Sequence, residues 1–412
     1  MHGDGIRPAS TSAEVEQARL LDLTRSLRRA GHVATGIDRV ELAYLDRFIS
    51  DTVPAYGLMR SAFGYLLMDA DGMRAFRDRM AGTTNWGAPD VLSRLLRGRD
   101  QALINAEADA RRLAIARCVP ARLRQMLARH LSGGFDYFNV GHSNLTERVL
   151  RSVSYAQGQK HVLIHDVIPL EHPDFQRPGT VRPFREIVQR VARFADRVIY
   201  NSYDTRRRAE GQMREWGRVP PSIVAHLGTI RPRPDPSDLP LGVPPAEPYF
   251  VTVGTIEPRK NHAFLLDLWE RMGQDAPPLF ICGSRGWNND RVFARLDALP
   301  TGSAITELQG LSDGALASLI QRSAGMLFPS FAEGYGLPPI EALMLGTRVL
   351  CNDLPVLQEV LDDFATFAPV SDTEIWLKTI KNWKNKASGA ASTNGFEGPT
   401  WSDHFNTVLR LI

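Results

Sequence analysis

Residues 328–343 combine residue types that bind phosphate and hydroxyl groups. The segment is predicted to be the end of a buried strand, a Gly-rich turn and the first turns of a helix, with Glu333 in the turn and Glu341 in the helix. Gly334 and Gly336 allow positive φ and a close approach of the backbone to a ligand. Amide groups at a helix start bind anions such as phosphate, and a carboxylate on each side can accept hydrogen bonds from neutral hydroxyls. The segment therefore predicts a ligand with phosphate and many hydroxyls, such as a sugar nucleotide.

A basic loop at residues 254–261 carries the charges that would neutralise a diphosphate. Its sequence is Gly-Thr-Ile-Glu-Pro-Arg-Lys-Asn, between a predicted strand and a predicted helix. Arg259 and Lys260 are adjacent cations there, and preformed cations aimed at a departing diphosphate can contribute several kcal/mol without a metal. A solvated basic turn is the alternative interpretation.

The string from Pro329 to Leu343, together with the Leu-Gly pair at residues 345–346, resembles the Glu-x7-Glu signature of retaining glycosyltransferases, specifically glycosyltransferase family 4. The resemblance implies an α/β protein of the GT-B fold. In that fold two Rossmann-like doubly wound domains face a cleft, and a C-terminal helix crosses back to the first domain. The resemblance covers most of residues 135–370 and is thin from about residue 70 to residue 130.

The resemblance also implies roles for individual residues. Glu341 would hold the ribose hydroxyls and Glu333 the hydroxyls of the transferred sugar, while the amides after Glu333 serve the sugar and the phosphate. Lys260 is the preferred candidate for contact with the diphosphate, and Arg259 is the second. The family usually has its arginine directly after the first glycine of that loop, where Thr255 stands here, so the arginine of this chain is displaced. The other donor-side positions are Gly334, Tyr335, Gly336, Leu337, Gly254, Gly283 and Leu308. The last two would border the nucleobase.

His165 begins a His-Asp-Val-Ile-Pro string that follows a predicted strand. The string resembles the family's His-Asp-x-x-Pro segment, in which the histidine faces the donor sugar. Front-face transfer on this fold implies that the leaving phosphate takes the acceptor's proton. His165 would then orient a sugar hydroxyl or support developing charge, and Asp166 would be its partner or an acceptor contact. A structural histidine at a strand end is the alternative.

Two further loops are candidates for contacts with the acceptor or the donor phosphate. Gly36, with Arg39 shortly after it, resembles the family's N-terminal glycine loop, although the usual pair of glycines is reduced to one here. His142 and Asn144 lie in a polar loop after another predicted strand, where they are either acceptor contacts or part of a plain loop.

Strands that alternate with helices predict parallel sheets on both sides of a Pro-rich stretch. Seven prolines between residues 232 and 248 predict an interdomain linker. We predict an acceptor-side domain at 1–231 with a helical insertion at about 70–131, a nucleotide-sugar-binding domain at 249–385, and a C-terminal segment with a crossover helix at 386–412. Four of the short segments predicted to be strands lie at 197–200, 279–282, 305–308 and 325–328.

Composition argues against several classes of function. The chain has 412 residues with 49 Lys and Arg against 46 Asp and Glu, a net charge of +3, which does not favour nucleic acid as a partner. Its three cysteines are widely spaced and indicate neither a disulfide framework nor a zinc site. P-loop and dinucleotide-binding glycine motifs are absent from the sequence. No run is long and apolar enough to span a membrane and the start lacks a signal-peptide core, so a cytoplasmic protein is expected.

No metal or other cofactor is expected. The string Asp69-Ala70-Asp71 spells the Asp-x-Asp motif that holds a divalent cation under the diphosphate in the other major glycosyltransferase fold. A glycine follows at once and a helical pattern begins there, so a solvated turn is the preferred interpretation.

Residues 91–131 are predicted to be helical and rich in arginine, with interleaved apolar residues. A basic amphipathic helix can lie on an anionic membrane surface at the inner face of the plasma membrane, where polyprenyl-linked acceptors reside. An ordinary solvated helix face is the alternative. The arginines are Arg94, Arg97, Arg99, Arg111, Arg112, Arg117, Arg122, Arg124 and Arg129.

Together these features predict a metal-independent retaining glycosyltransferase of surface polysaccharide biosynthesis. It would move a hexose from a nucleotide sugar, with mannose from GDP-mannose preferred, to a glycan or lipid-linked acceptor. The alternatives are a non-catalytic partner subunit that keeps the fold as a binding module, and a sugar-nucleotide epimerase of the same architecture.

Overall fold

The computed structural model describes residues 17–95, 98, 100–385 and 395–411. The chain divides into two compact units, Met1–Lys160 and His161–Ile412. Two of the predicted basic residues, Arg97 and Arg99, and residues 386–394 of the predicted C-terminal segment lie outside the described residues. The predicted domain limits at residues 231, 248 and 385 remain predictions.

The first unit is built on a mixed sheet with the strand order β4-β3-β2-β1-β5. Strand β1 pairs in parallel with β2 and β5, whereas β3 is antiparallel to both β2 and β4. Its strands are β1 Ala18–Asp22, β2 Ala55–Ser61, β3 Gly64–Met68, β4 Ala116–Cys118 and β5 Phe135–Asn139. Its helices are α1 Thr24–Arg28, α2 Gly36–Ser50, α3 Ala70–Met80, α4 Gln101–Leu113, α5 Leu123–His130 and α6 Glu147–Tyr155.

The predicted helical stretch at 91–131 is only partly helical, which corrects the sequence interpretation. Between α4 and α5 lies the short strand β4, which pairs with β3 at the end of the strand order. Three residues are too few to show the alternation that identifies a strand in a sequence. Arg111 is buried and pairs with Asp90 at 2.7 Å and with Glu107 at 3.3 Å, so it does not belong to a solvated basic face.

The Asp-x-Asp string forms a helix start. The Asp69 carboxylate accepts a hydrogen bond from the amide of Gly72 at 2.9 Å, which makes Asp69 the N-cap of α3. Asp71 is exposed and pairs with Arg74 on the same helix. Within the described ranges, no group of three or more His, Cys, Asp and Glu side chains is placed to hold a metal ion.

The second unit contains two sets of parallel strands. Residues 161–164 of strand β6, Gly158–Ile164, pair with β7, and β7 pairs with β8. The other set is a six-stranded parallel sheet in the order β11-β10-β9-β12-β13-β14. The strands are β7 Arg197–Tyr200, β8 Ser222–Val224, β9 Phe250–Val253, β10 Leu279–Cys282, β11 Ile305–Leu308, β12 Gly325–Phe328, β13 Val349–Cys351 and β14 Thr366–Phe367.

Helices connect these strands and pack on them. The helices of this unit are α7 Ile168–Glu171, α8 Val181–Phe194, α9 Tyr203–Glu215, α10 His262–Met272, α11 Asp290–Asp297, α12 Asp313–Arg322, α13 Leu337–Met344, α14 Pro355–Leu361, α15 Thr373–Lys384 and α16 Trp401–Arg410. Helix α15, which the sequence interpretation did not include, places Trp376 in the core, where its indole N–H donates to the carbonyl of Ala368 at 3.1 Å.

The last helix, α16, packs on the chain segment that follows β8. His404 is buried, and its Nδ1 lies 3.2 Å from the carbonyl oxygen of Ala225 and 3.0 Å from that of His226. A Cβ added to Gly228 would lie 2.2 Å from the backbone nitrogen of Trp401, so the helix touches the backbone there. Since residues 225–228 precede the Pro-rich stretch, α16 returns to an earlier part of the chain, as the crossover prediction requires. None of the helices in the described part of the chain is both long and apolar enough to cross a membrane.

Candidate active site

The six-stranded sheet places the predicted donor-side loops at neighbouring strand ends. The amide of Gly254, after β9, donates to the carbonyl of Cys282 at 3.0 Å, and the amide of Gly283, after β10, donates to Leu308 at 3.0 Å. A Cβ added to Gly283 would lie 2.1 Å from the carbonyl oxygen of Gly254, so the two loops touch through their backbones. Thr255, beside this contact, is exposed.

The strand order also explains where a ligand would bind. Strand β9 has β10 on one side and β12 on the other, so the chain reverses its direction of winding between β9 and β12. Ligands of doubly wound sheets bind outside the carboxyl ends of the strands at such a switch point. The loops that follow β9 and β12 are the two segments that the sequence interpretation selected, at residues 254–261 and 329–336.

A compact cluster of ion pairs joins these two loops. The ammonium nitrogen of Lys260 lies 2.7 Å from Oε1 of Glu333, and Nη1 of Arg259 lies 2.8 Å from Oε2 of the same carboxylate. On its other side, Nη2 of Arg259 lies 2.7 Å from Oε1 of Glu257. Lys260, Glu257 and Glu333 are each no more than 9% exposed. Two cations and two carboxylates therefore balance one another in a site that is largely removed from water.

Backbone hydrogen bonds hold the two loops in place. The amide of Phe331 donates to the carbonyl of Arg259 at 2.8 Å, and Nη1 of Arg259 donates to the carbonyl of Ala332 at 2.9 Å. Asn261, with a φ of 55°, donates its side-chain amide to the carbonyl of Pro329 at 3.2 Å. Asparagine adopts this left-handed conformation more readily than most residues. The loop after β9 thus supports the Glu333 turn at several points.

Electrostatics keep Glu333 ionised. Burial raises the pKa of Glu333, but Arg259 and Lys260 outweigh that effect and lower the pKa to about 2. Burial is also the main influence on Lys260 and lowers its pKa, while Glu333 opposes that shift. At neutral pH the Glu333 carboxylate is therefore a hydrogen-bond acceptor, and it has no proton to give to a reacting group.

The side chain of Lys260 passes over Gly254 on its way to Glu333. A Cβ added to Gly254 would lie 3.0 Å from Cε of Lys260, and Gly254 has a φ of 141°. The ammonium group lies 4.4 Å from the centre of the Phe328 ring, which adds a cation–π contact. Glycine suits position 254 because other residues rarely adopt that φ, and a side chain there would also push the end of the lysine by a few tenths of an ångström.

The segment with His165 and Asp166 lies against the Glu333 turn. A Cβ added to Gly334 would lie 2.8 Å from the carbonyl oxygen of His165 and 3.0 Å from Cβ of Asp166, so only glycine fits there without a shift. Burial raises the pKa of Asp166, and Arg259 opposes this effect. Thr205 donates to the carbonyl of Gly334 at 3.2 Å. The second unit thus brings His165 and Asp166 next to the predicted donor residues.

The remaining residues of the turn lead into α13. Tyr335 is buried and its hydroxyl donates to the carbonyl of Leu227 at 3.0 Å, so its side chain anchors the turn. Gly336, with a φ of 108°, is the N-cap of α13, and Leu337 is the first helical residue. The two prolines that follow Leu337 have no amide hydrogen, so Leu337 supplies the free N–H of this helix start. Glu341 lies one turn further along and is partly exposed.

The other predicted residues belong to the first unit. Gly36 is the first residue of α2, and Arg39 lies on the same helix. His142 and Asn144 both have positive φ, at 56° and 62°. Asn144 is buried, and its side-chain amide donates to Asp22 at 2.8 Å, so it holds the loop after β5 against β1.

Comparisons with known proteins match the part of the chain that holds the ion-pair cluster to a described family. Residues 239–391 match the sequence profile of the family described as "Glycosyl transferases group 1". The chain contains a glycosyltransferase group 1 domain. This domain includes the six-stranded sheet from β9 onward and both loops of the ion-pair cluster.

Curated relatives are mannosyltransferases by name. The "Serotype-specific mannosyltransferase WbdA" of Escherichia coli is 31% identical over 237 residues, which are 54% of this chain and 29% of the relative. The "O-antigen chain mannosyltransferase RfbU" of Salmonella typhimurium is 31% identical over 152 residues, which are 36% of this chain and 42% of the relative. The matched part therefore spans less than half the length of these relatives.

Solved structures with the same fold include complexes of Anabaena HepE. The complex with UDP-glucose is 14% identical, covers 89% of this chain and 89% of that chain, and has a TM-score of 0.58. The complex with UDP and glucose is 13% identical, covers 95% of each chain and has a TM-score of 0.55. The chain has the GT-B fold, with Rossmann-like α/β architecture.

Sequence reasoning missed several residues that hold the glycosyltransferase domain's central loops. Glu257 and Asn261 lie inside the basic loop, but only the structure shows that Glu257 pairs with Arg259 and that Asn261 supports Pro329. Asn352, after β13, donates to the carbonyl of Ser330 at 2.9 Å. For Asn352 the available signal was a polar residue directly after a buried strand.

Proposed function

We propose that this protein is a retaining hexosyltransferase that transfers a sugar from a nucleotide sugar to a hydroxyl group of a glycan or lipid-linked acceptor. The observation that carries the proposal is the buried cluster of Arg259, Lys260 and Glu333 at the switch point of a glycosyltransferase group 1 domain. A site with adjacent cations and an ionised carboxylate suits a ligand that has both a diphosphate and sugar hydroxyls.

In the proposed reaction the bond between the anomeric carbon and the diphosphate oxygen breaks, and both electrons stay on the diphosphate. An acceptor hydroxyl oxygen bonds to the anomeric carbon on the same face, and its proton passes to the departing phosphate oxygen. Lys260 and Arg259 stabilise the negative charge that grows on the diphosphate. Glu333 accepts hydrogen bonds from the hydroxyls of the transferred sugar, His165 orients that sugar, and Glu341 holds the ribose.

The preferred donor in this proposal is GDP-mannose. Support comes from the curated relatives, which are named as mannosyltransferases, two of them of O-antigen chains. The proposal also includes independence from a divalent cation, because Lys260 and Arg259 supply the positive charge beside the diphosphate.

Thermal unfolding with GDP, UDP, ADP, dTDP and CMP, each in the presence of EDTA, tests the donor part of the proposal. GDP is expected to raise the unfolding temperature by several degrees, because a ligand that binds only the folded state stabilises it in proportion to the logarithm of its concentration. GMP is the matched control and should give a smaller shift, since it lacks the second phosphate.

A shift with UDP alone would contradict the choice of GDP-mannose. A shift that requires manganese would contradict metal independence. No shift with any nucleotide would favour a non-catalytic binding subunit.

We also propose that the first unit binds an anionic membrane surface, which would present a lipid-linked acceptor. Exposed apolar side chains lie in the same stretch of chain as exposed arginines. The apolar residues are Val91, Leu92, Leu95, Ile115 and Val119. The exposed arginines of this stretch include Arg94, Arg117, Arg122, Arg124 and Arg129.

Cosedimentation with lipid vesicles tests this second part. We expect binding to vesicles that contain phosphatidylglycerol, and we expect that binding to weaken as salt is raised, because screening reduces attraction between exposed charges. Vesicles of phosphatidylcholine alone are the control. Equal binding to both kinds of vesicle, or binding to neither, would contradict an electrostatic membrane surface.

A further inference from the structure

A cavity of about 330 Å³ lies beside the ion-pair cluster, and Glu333 is the one residue of its lining that the donor site proposed above already uses. Glu333, Ala332 and Phe331 form one side of it. Helix α9 contributes charged side chains to the lining, and the start of α14 contributes apolar ones. All of these residues lie in the second unit, so the cavity is a feature of that unit alone.

The charges in the cavity are paired. Arg207 lies 2.5 Å from Asp204, and Arg208 lies 3.4 Å from Asp204 and also forms an ion pair with Glu171. Each guanidinium thus has a carboxylate partner in the wall of the cavity. Paired guanidinium and carboxylate groups present both donors and acceptors, which is the combination that neutral hydroxyl groups use. The lining therefore favours a neutral, hydroxyl-rich ligand.

An exposed aromatic ring completes the cavity. Phe331 is 43% exposed, although most large rings of this unit are buried. Its ring stacks on Phe175 at 5.9 Å, and Phe175 stacks on His172 at 5.2 Å, with interplanar angles of 18° and 17°. The indole of Trp287 donates to the carbonyl of Phe175 at 2.8 Å and holds that segment in place. Phe331 is therefore a supported, oriented apolar surface next to polar groups.

We propose that this cavity is the acceptor subsite and that it binds a neutral hexose unit of the acceptor glycan. The apolar C–H face of the hexose stacks on Phe331, and its hydroxyls contact Arg207 and Glu171. Since Glu333 lines the same cavity, a hexose bound there lies next to the position proposed for the transferred sugar. The assignment of this subsite to the acceptor rests on the proposed function, whereas binding of a sugar in the cavity can be measured without turnover.

Two substitutions with matched controls test the subsite. Phe331→Ala removes the stacking surface, and Phe364→Ala is its control because Phe364 is 36% exposed and does not line the cavity. Arg207→Ala removes a polar contact, and Arg214→Ala is its control on the same helix. The side chains of Arg207 and Arg214 are 69% and 64% exposed, and each is paired with a carboxylate.

Steady-state transfer to α-mannobiose is the first measurement. Phe331→Ala is expected to raise the acceptor KM by about tenfold, since an aromatic contact of this kind is worth up to about that factor. The donor KM, and the release of nucleoside diphosphate in the absence of acceptor, should stay within about twofold of the wild-type values. Both control variants should behave as the wild type does. An unchanged acceptor KM in Phe331→Ala, or an equal effect in Phe364→Ala, would overturn the proposal.

Saturation-transfer NMR with methyl α-mannoside is the second measurement and needs no reaction. The wild-type protein is expected to transfer saturation to the sugar ring protons, and Phe331→Ala is expected to lose most of that signal. If the wild-type protein neither hydrolyses nor transfers any nucleotide sugar but binds the mannoside through Phe331, the proposed function fails and the sugar subsite stands. If hydrolysis and transfer occur but neither measurement responds to Phe331→Ala, the function stands and the subsite fails.

Discussion

Replacing Glu333 with glutamine is expected to lower the free energy of unfolding by about 3–5 kcal/mol, the usual cost of removing one partner from a buried ion pair. Glu333 is 6% exposed and is the shared partner of Lys260 and Arg259. Without its charge, Lys260 keeps a buried ammonium group with no carboxylate at 2.7 Å. Chemical denaturation at pH 7 of the wild type and the variant measures the difference.

The matched control is Glu374→Gln on α15. Glu374 also pairs with an arginine, Arg271, at 2.6 Å, but its side chain is 77% exposed, so the expected loss is at most about 1 kcal/mol. A loss of that same small size for Glu333→Gln would contradict the view that the cluster is electrostatically coupled and buried.

The Glu333 effect should also depend on pH. The pKa of Glu333 is depressed from 4.5 in a free chain to about 2 in the folded protein. Its contribution to stability is therefore fully present above pH 4.5 and is lost as the pH falls towards 2. The difference between wild type and Glu333→Gln should shrink over that range, provided both remain folded. A difference that grows on acidification would show that the carboxylate is not held ionised by the two cations.

Replacing Lys260 with methionine is expected to lower kcat by about 10²–10³-fold, which is typical for the loss of one preorganised charge partner in a transition state. The proposed reaction builds negative charge on the departing diphosphate, so the effect should appear in kcat and kcat/KM together. Methionine has a similar length and keeps the apolar packing over Phe328. Lys381→Met, at an exposed position on α15, is the control and should retain wild-type rates.

A double variant, Lys260→Met with Glu333→Gln, separates the two roles of the cluster. Its loss of stability should be smaller than the sum of the single losses by about 0.5–3 kcal/mol, because contacting residues are energetically coupled. Its activity should remain as low as that of Lys260→Met. A near-normal kcat in either Lys260 variant would remove the proposed part of this lysine in departure of the diphosphate.

Local sequence patterns were sufficient for four strands of the second unit, of which β7, β10 and β12 are buried along most of their length. The predicted strands at 197–200, 279–282, 305–308 and 325–328 coincide with β7, β10, β11 and β12. Parallel strands covered on both sides are short continuous apolar runs, and the glycines and polar residues that follow them mark their ends. Helix α15 was missed although its buried residues Trp376, Leu377, Ile380 and Trp383 recur at helical spacing.

Tertiary contacts overrode local pattern in the Arg-rich stretch. Arg111 looks like a surface residue of an amphipathic helix, but Asp90 and Glu107 surround it in the folded chain. Asp90 is 21 residues away in sequence, so no helical spacing relates the two. Burial of an arginine depends on partners that a periodicity argument does not include.

By itself, the sequence indicated the GT-B fold through its resemblance to a known family. It also located the two loops at 254–261 and 329–336, because turns, helix starts and strand ends depend on local chemistry. Only the tertiary structure decided that Lys260 and Arg259 pair with Glu333, which is 73 residues from Lys260. That contact exists because β9 and β12 are neighbours in the sheet, and strand order is a long-range property that local patterning does not encode. The same reason applies to the cavity at Phe331, whose walls come from α9, α14 and the turn after β12.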